Sequence, residues 1–142
     1  FLFKMDPKYE NISEKTINLS LWIIPVVSLM ASGLTISSAL GKQVNVNVFA
    51  PLVMGIMFTV IGNYLPKMSQ SYTVGIKLPW TLNDEENWNK THRLAGKLWV
   101  ACGLLLIIGS FTNMAMSIMF VMLVIAVIVP TVYSYMQFRN TK

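Results

Sequence analysis

Among the side chains of this sequence that could do chemistry, the densest group lies between residues 63 and 97. Glu85, Trp88, His92, Ala95 and Trp99 follow one another at steps of three and four, so a helix here carries a carboxylate, two indoles and one imidazole on a single face. Glu85 with His92 is the one arrangement suited to acid–base work. A metal centre would need further ligands, and the chain has one His, one Cys, at the distant Cys102, and no paired-histidine motif. No nucleophile, phosphate loop or cofactor motif accompanies the pair, so catalysis and cofactor binding are not expected. The spacing favours instead a contact from His92 to Glu85 or to backbone that positions the segment, with pH sensing as the functional alternative. For the tryptophans the plain reading is anchorage at a membrane surface, the sharper one contact with a ligand or partner.

The flanking sequence sets where this group must sit. Of 142 residues 54% are hydrophobic and only 12% charged, and the apolar residues come in blocks: Leu19–Leu40, Val48–Leu65, Leu94–Phe111 and Met114–Tyr135. Each is about 18–22 residues, the length a helix needs to cross roughly 30 Å of hydrocarbon. The expected fold is therefore all-α: one polytopic membrane domain over residues 1–142, with about four spans and a long loop, 66–93, between spans two and three. Lys97, near one end of the third span, is the only formal charge inside the blocks and can extend its ammonium back to the interface.

With four crossings, ten of the eleven Lys and Arg residues fall on one side. They are Lys4, Lys8, Lys15, Lys67, Lys77, Lys90, Arg93, Lys97, Arg139 and Lys142; only Lys42 faces the other way. Basic residues near span ends collect in the cytoplasm, so the 66–93 loop and both ends of the chain are expected there. The net charge of +5 then reflects attraction to anionic lipid. Dispersed over three segments without a stacking platform, these cations do not suggest direct nucleic-acid binding. The opening Phe1-Leu2-Phe3, without an initiator Met or signal-peptide pattern, reads as the tail of an earlier membrane helix.

Small residues mark the first span, with Ser28 and Ser32, then Gly33 and Ser37, each four apart. Such pairs let helices approach closely, within the bundle or between copies in a homo-oligomer. No ionisable group lies mid-membrane, which argues against a proton-coupled pump within these spans. Pro130 predicts a kink in the fourth span, and its Met residues read as adaptable packing. Within the loop, Tyr72–Ile76 has β-type composition. Thr81 is expected as a helix N-cap with Asp84 at the third position, acidic residues in the first turn, and a Glu86–Lys90 pair. From there one helix is expected to run without a break into the third span.

Asn63, Pro66-Lys67, Tyr72, Gly75-Ile76-Lys77, Pro79-Trp80-Thr81-Leu82, Glu85, Trp88, Lys90-Thr91-His92-Arg93 and Gly96 together resemble the signature of the SdpI family of bacterial membrane proteins. Ser71, where Asn is expected, and Ala95, where Gly is usual, are departures. The resemblance implies immunity to a secreted peptide toxin that attacks the membrane, and recruitment of a cytoplasmic transcriptional repressor. The loop residues Asn63, Pro66, Lys67, Tyr72, Gly75, Lys77, Pro79, Trp80, Thr81, Glu85, Trp88, His92 and Arg93 then become a partner- or ligand-binding set. The alternative is a small transporter or channel component gated by this loop.

Overall fold

The computed structural model describes residues 12–140. Phe1–Phe3, Lys4, Lys8 and Lys142, and what was expected of them, lie outside the described residues. Five helices follow in order: α1 Glu14–Ala39, α2 Val46–Tyr64, the short α3 Pro79–Asn83, α4 Glu85–Gly109 and α5 Ala115–Asn140. A 3-10 turn, Leu65–Lys67, closes α2. Four of the helices, all but α3, are long and apolar enough to cross a membrane. Large apolar side chains such as Trp22, Leu29, Ile108 and Phe120 stand exposed on them, as expected of surfaces whose solvent is lipid rather than water.

The bundle centres on α4. Glycines seven residues apart on two antiparallel helices meet in pairs, Gly55 of α2 against Gly103 of α4 and Gly62 against Gly96. A Cβ on Gly103 would come within 2.6 Å of the Gly55 carbonyl and 2.4 Å of Thr59 Oγ1. One on Gly62 would meet the backbone nitrogen of Val100 at 2.8 Å. Without a hydrophobic driving force between helices in lipid, such backbone approach supplies the van der Waals contact that holds them. Phe58 stacks on Trp99 at 4.7 Å beside a core that includes Cys102, Leu106 and Ala126.

Across the other face of α4, Pro130 stays inside α5. Its ring nitrogen cannot donate, so the carbonyl of Ala126 loses its usual helical partner. Trp99 donates its indole N–H to that carbonyl at 3.0 Å. The bond satisfies a group that would otherwise be unpaired in hydrocarbon, and ties α4 to α5 at the proline.

By contrast α1 stands largely apart. Gly33 has no neighbour for a Cβ within 4 Å, so the small-residue pairs of this helix do not meet another helix within the described chain. Only its first half approaches the rest: Leu19 packs beside Leu65, Met68 and Ala95, and Trp22 and Val26 line an apolar cleft with Ile56 and Val60 of α2.

Candidate functional site

The segment 64–93 folds as a knot against the first turns of α4. Within it α3 starts at Pro79, whose fixed φ and missing N–H suit a first helical position. Thr81, expected as a cap for the long helix, lies instead in α3. Its hydroxyl accepts from the Leu78 N–H at 2.9 Å and donates to the Ile76 carbonyl at 2.8 Å. The N-cap of α4 is Asp84, whose Oδ1 accepts from the N–H groups of Glu86 and Asn87 at 2.9 and 3.1 Å. The proline starts a helix two residues before Thr81, and that helix must end before α4 can begin, so the cap falls to Asp84. Gln70 closes the end of α3 by donating to the carbonyls of Thr81 and Leu82 at 2.7 and 2.9 Å.

No strand forms at Tyr72–Ile76, where the chain makes bends. Ser71 Oγ accepts from the N–H groups of Thr73 and Val74 at 3.2 and 2.9 Å, the turn a side-chain acceptor makes with its own backbone. Serine can do this as asparagine does, which accounts for the tolerated departure from the expected residue. Gly75 follows with φ +123°, and a Cβ there would lie 2.5 Å from the Trp88 ring and 2.8 Å from His92 Nε2. Both the backbone conformation and the space demand glycine.

Trp88 and His92 form the floor of the knot. They are fully buried, at 0% and 1% exposure, with rings stacked at 4.0 Å. Trp88 donates its indole N–H to the Met68 carbonyl at 2.9 Å. His92 Nε2 accepts the Ile76 N–H at 3.0 Å, and Nδ1 lies 2.8 Å from the Trp88 carbonyl. The ring is therefore neutral with its proton on Nδ1, the one tautomer that serves both contacts. This turn of α4 precedes the apolar run that begins at Leu94, and burial there pushes the imidazole down to about 4. Of the two expected contacts for His92 the backbone one is made; Glu85 is exposed.

A second set of ties was not visible from spacing. Asn87 donates to the Ser134 carbonyl at 3.0 Å, and its Oδ1 accepts from the hydroxyls of Ser134 at 2.6 Å and Thr91 at 3.0 Å. Trp80 completes the network by donating its indole N–H to Ser134 Oγ at 2.9 Å. Its ring rests between Tyr135 and Phe138, 5.5 and 5.8 Å away. Ser134, a hydroxyl near the end of the apolar run of α5, was the available signal. Among the described residues no buried side-chain polar atom lacks a partner, and no three His, Cys, Asp or Glu side chains gather as metal ligands.

The motif residues therefore divide. Gly75, Thr81, Trp88 and His92 build the interior of the knot, and Trp80 pins it to α5. Asn63, Pro66, Lys67, Tyr72, Lys77, Pro79, Glu85 and Arg93 are exposed around it. Glu86 pairs with Lys90 at 2.7 Å as the spacing predicts, and that carboxylate holds the Lys90 ammonium above its ordinary value.

Residues 67–134, from the knot to the polar tie in α5, match the model of the SdpI/YfhL protein family. The chain is 33% identical over 108 residues to the Immunity protein SdpI of Bacillus subtilis (strain 168), covering 75% of this chain and 52% of that protein. It thus spans about half the length of the curated relative it matches. No solved structure matches. With four helices of spanning length and this sequence match, the molecule is a multi-pass membrane protein, similar over residues 67–134 to the SdpI/YfhL family.

Proposed function

We propose that this protein confers immunity to a secreted peptide toxin that acts on the membrane. The observation that carries the reading is the 33% identity to an immunity protein across three quarters of the chain. The family model separately matches residues 67–134, which hold most of the knot. Immunity of this kind is binding rather than catalysis, and a rigid, hydrogen-bonded platform at one end of a helix bundle is suited to binding.

In this reading the knot faces the cytoplasm, because Lys15, Lys67, Lys77, Lys90, Arg93, Lys97 and Arg139 all gather at its end of the helices while Lys42 lies at the other. A cytoplasmic repressor docks on the exposed rim formed by Tyr72, Lys77, Pro79 and Glu85, which Thr81, Trp88 and His92 hold in place from beneath. The toxin meets the membrane-embedded helices.

Expression of the full chain in a toxin-sensitive bacterium tests the whole reading. Cells should survive a toxin dose that kills the empty-vector control, and a tagged repressor should move to the membrane fraction. Unchanged killing would refute immunity. Survival with the repressor left in the cytosol would retain immunity and remove the docking role of the rim.

A further inference from the structure

The outward face of α4 changes character along its length. Lys90, Arg93, Lys97, Ala101, Leu104 and Ile108 follow at steps of three or four and are all exposed, so they form one continuous stripe. Lys90 is neutralised by Glu86. Arg93 and Lys97 are one turn apart, a like-charged spacing that is unfavourable in isolation. Among the described residues the only ion pair is the one at Lys90. Of the other acidic groups described at this end, Asp84 caps the helix, Glu14 lies in the first turn of α1, and Glu85, two turns above Arg93, shares a shallow concavity with it without an ion pair. Immediately beyond Lys97 the stripe becomes apolar, with Leu104 49% and Ile108 70% exposed.

We infer that Arg93 and Lys97 form a binding site for the phosphate of an anionic phospholipid in the leaflet next to the knot, with an acyl chain lying along Ala101, Leu104 and Ile108. The charge pair recognises the phosphate, Arg93 by its planar fork and Lys97 as a point charge. The apolar continuation selects a lipid over a free anion, because a soluble phosphate gains nothing from the lower half of the stripe. Pro66 packs on Gly96 between the two cations in sequence, so the end of α2 supports the turn that presents them. This site is independent of the immunity reading.

Native mass spectrometry of the detergent-purified full chain, titrated with phosphatidylglycerol and chain-matched phosphatidylcholine, tests the assignment. Wild type should prefer phosphatidylglycerol by about thirtyfold, since each cation at a lipid headgroup contributes about 1 kcal/mol. R93Q or K97Q alone should reduce that preference by about fivefold, and the double variant should abolish it. R93K/K97R, which keeps both charges, should retain most of it. K77Q, which neutralises an exposed cation elsewhere in the knot, should leave it unchanged. Equal preference in wild type and the double variant overturns the site. So does an equal loss in K77Q, which would mean diffuse attraction to net charge. Displacement of the lipid by millimolar inorganic phosphate alone would make it a free-anion site and overturn the lipid assignment.

Discussion

The two ends of α4 are held by different physics. In its lower half, against α2, the contact is a seam of glycines where backbone meets backbone, and the one hydroxyl there, of Thr59, is spent within its own helix on the Gly55 carbonyl. In its first turns the contact is a set of side chains reaching to backbone: Trp88 to Met68, His92 to Ile76, Asn87 to Ser134. The difference follows the solvent. In hydrocarbon an unmatched polar group is costly and apolar surfaces gain little by meeting, so proximity does the holding. At the aqueous end an irregular loop must satisfy its own backbone groups, and buried side chains that donate and accept select one loop path from many.

Breaking the seam should have the larger effect. Gly103→Val places a side chain onto the Gly55 carbonyl and Thr59, with rigid backbone on both sides. A loss of about 3 kcal/mol or more is expected, read as a lower thermal midpoint in detergent together with loss of monodisperse protein. Breaking the knot should be more local. Gly75→Ala sets a Cβ against Trp88 and His92 at a positive φ, costing about 2 kcal/mol. Amides of residues 68–78 should then exchange hydrogen rapidly while those of 98–108 keep their protection. Equal deprotection of both segments would show that seam and knot are one cooperative unit.

Acidification sharpens the contrast with the smallest expected effect. His92 in the fold titrates near 4, below the ordinary 6.5, so the unfolded loop binds the proton first. Its contribution is intact above pH 6.5 and is lost progressively as pH falls from there toward 4. Protonated Nε2 would confront the Ile76 N–H, and loop protection should decline over that window. The α2–α4 seam has no titrating group at its glycine contacts, so its protection should stay constant.

Several of these features were legible in the residues themselves. Run length and apolarity marked the long helices, the step pattern placed Trp88, His92 and Ala95 together on one face, and Glu86 with Lys90 could be paired by register alone. Others were not. Thr81 and Asp84 both look like caps, and only the early start of α3 at Pro79 decides between them. The heptad-spaced glycines of α2 and α4 stand plainly in the chain, but each pair acquires meaning from the helix opposite. Likewise Trp99 resembles a generic interfacial indole until Pro130 leaves a carbonyl bare beside it.

What this sequence determined by itself is the four long helices, their spanning length and the end at which the cations collect, because these depend on properties summed along one continuous stretch. Tertiary structure decided which side chains face inward from the loop, which helix meets which, and where each spare donor finds an acceptor. Those choices join residues 16 to 54 positions apart, such as His92 to Ile76 and Trp80 to Ser134, and no local spacing encodes a hydrogen bond whose partner lies on another element.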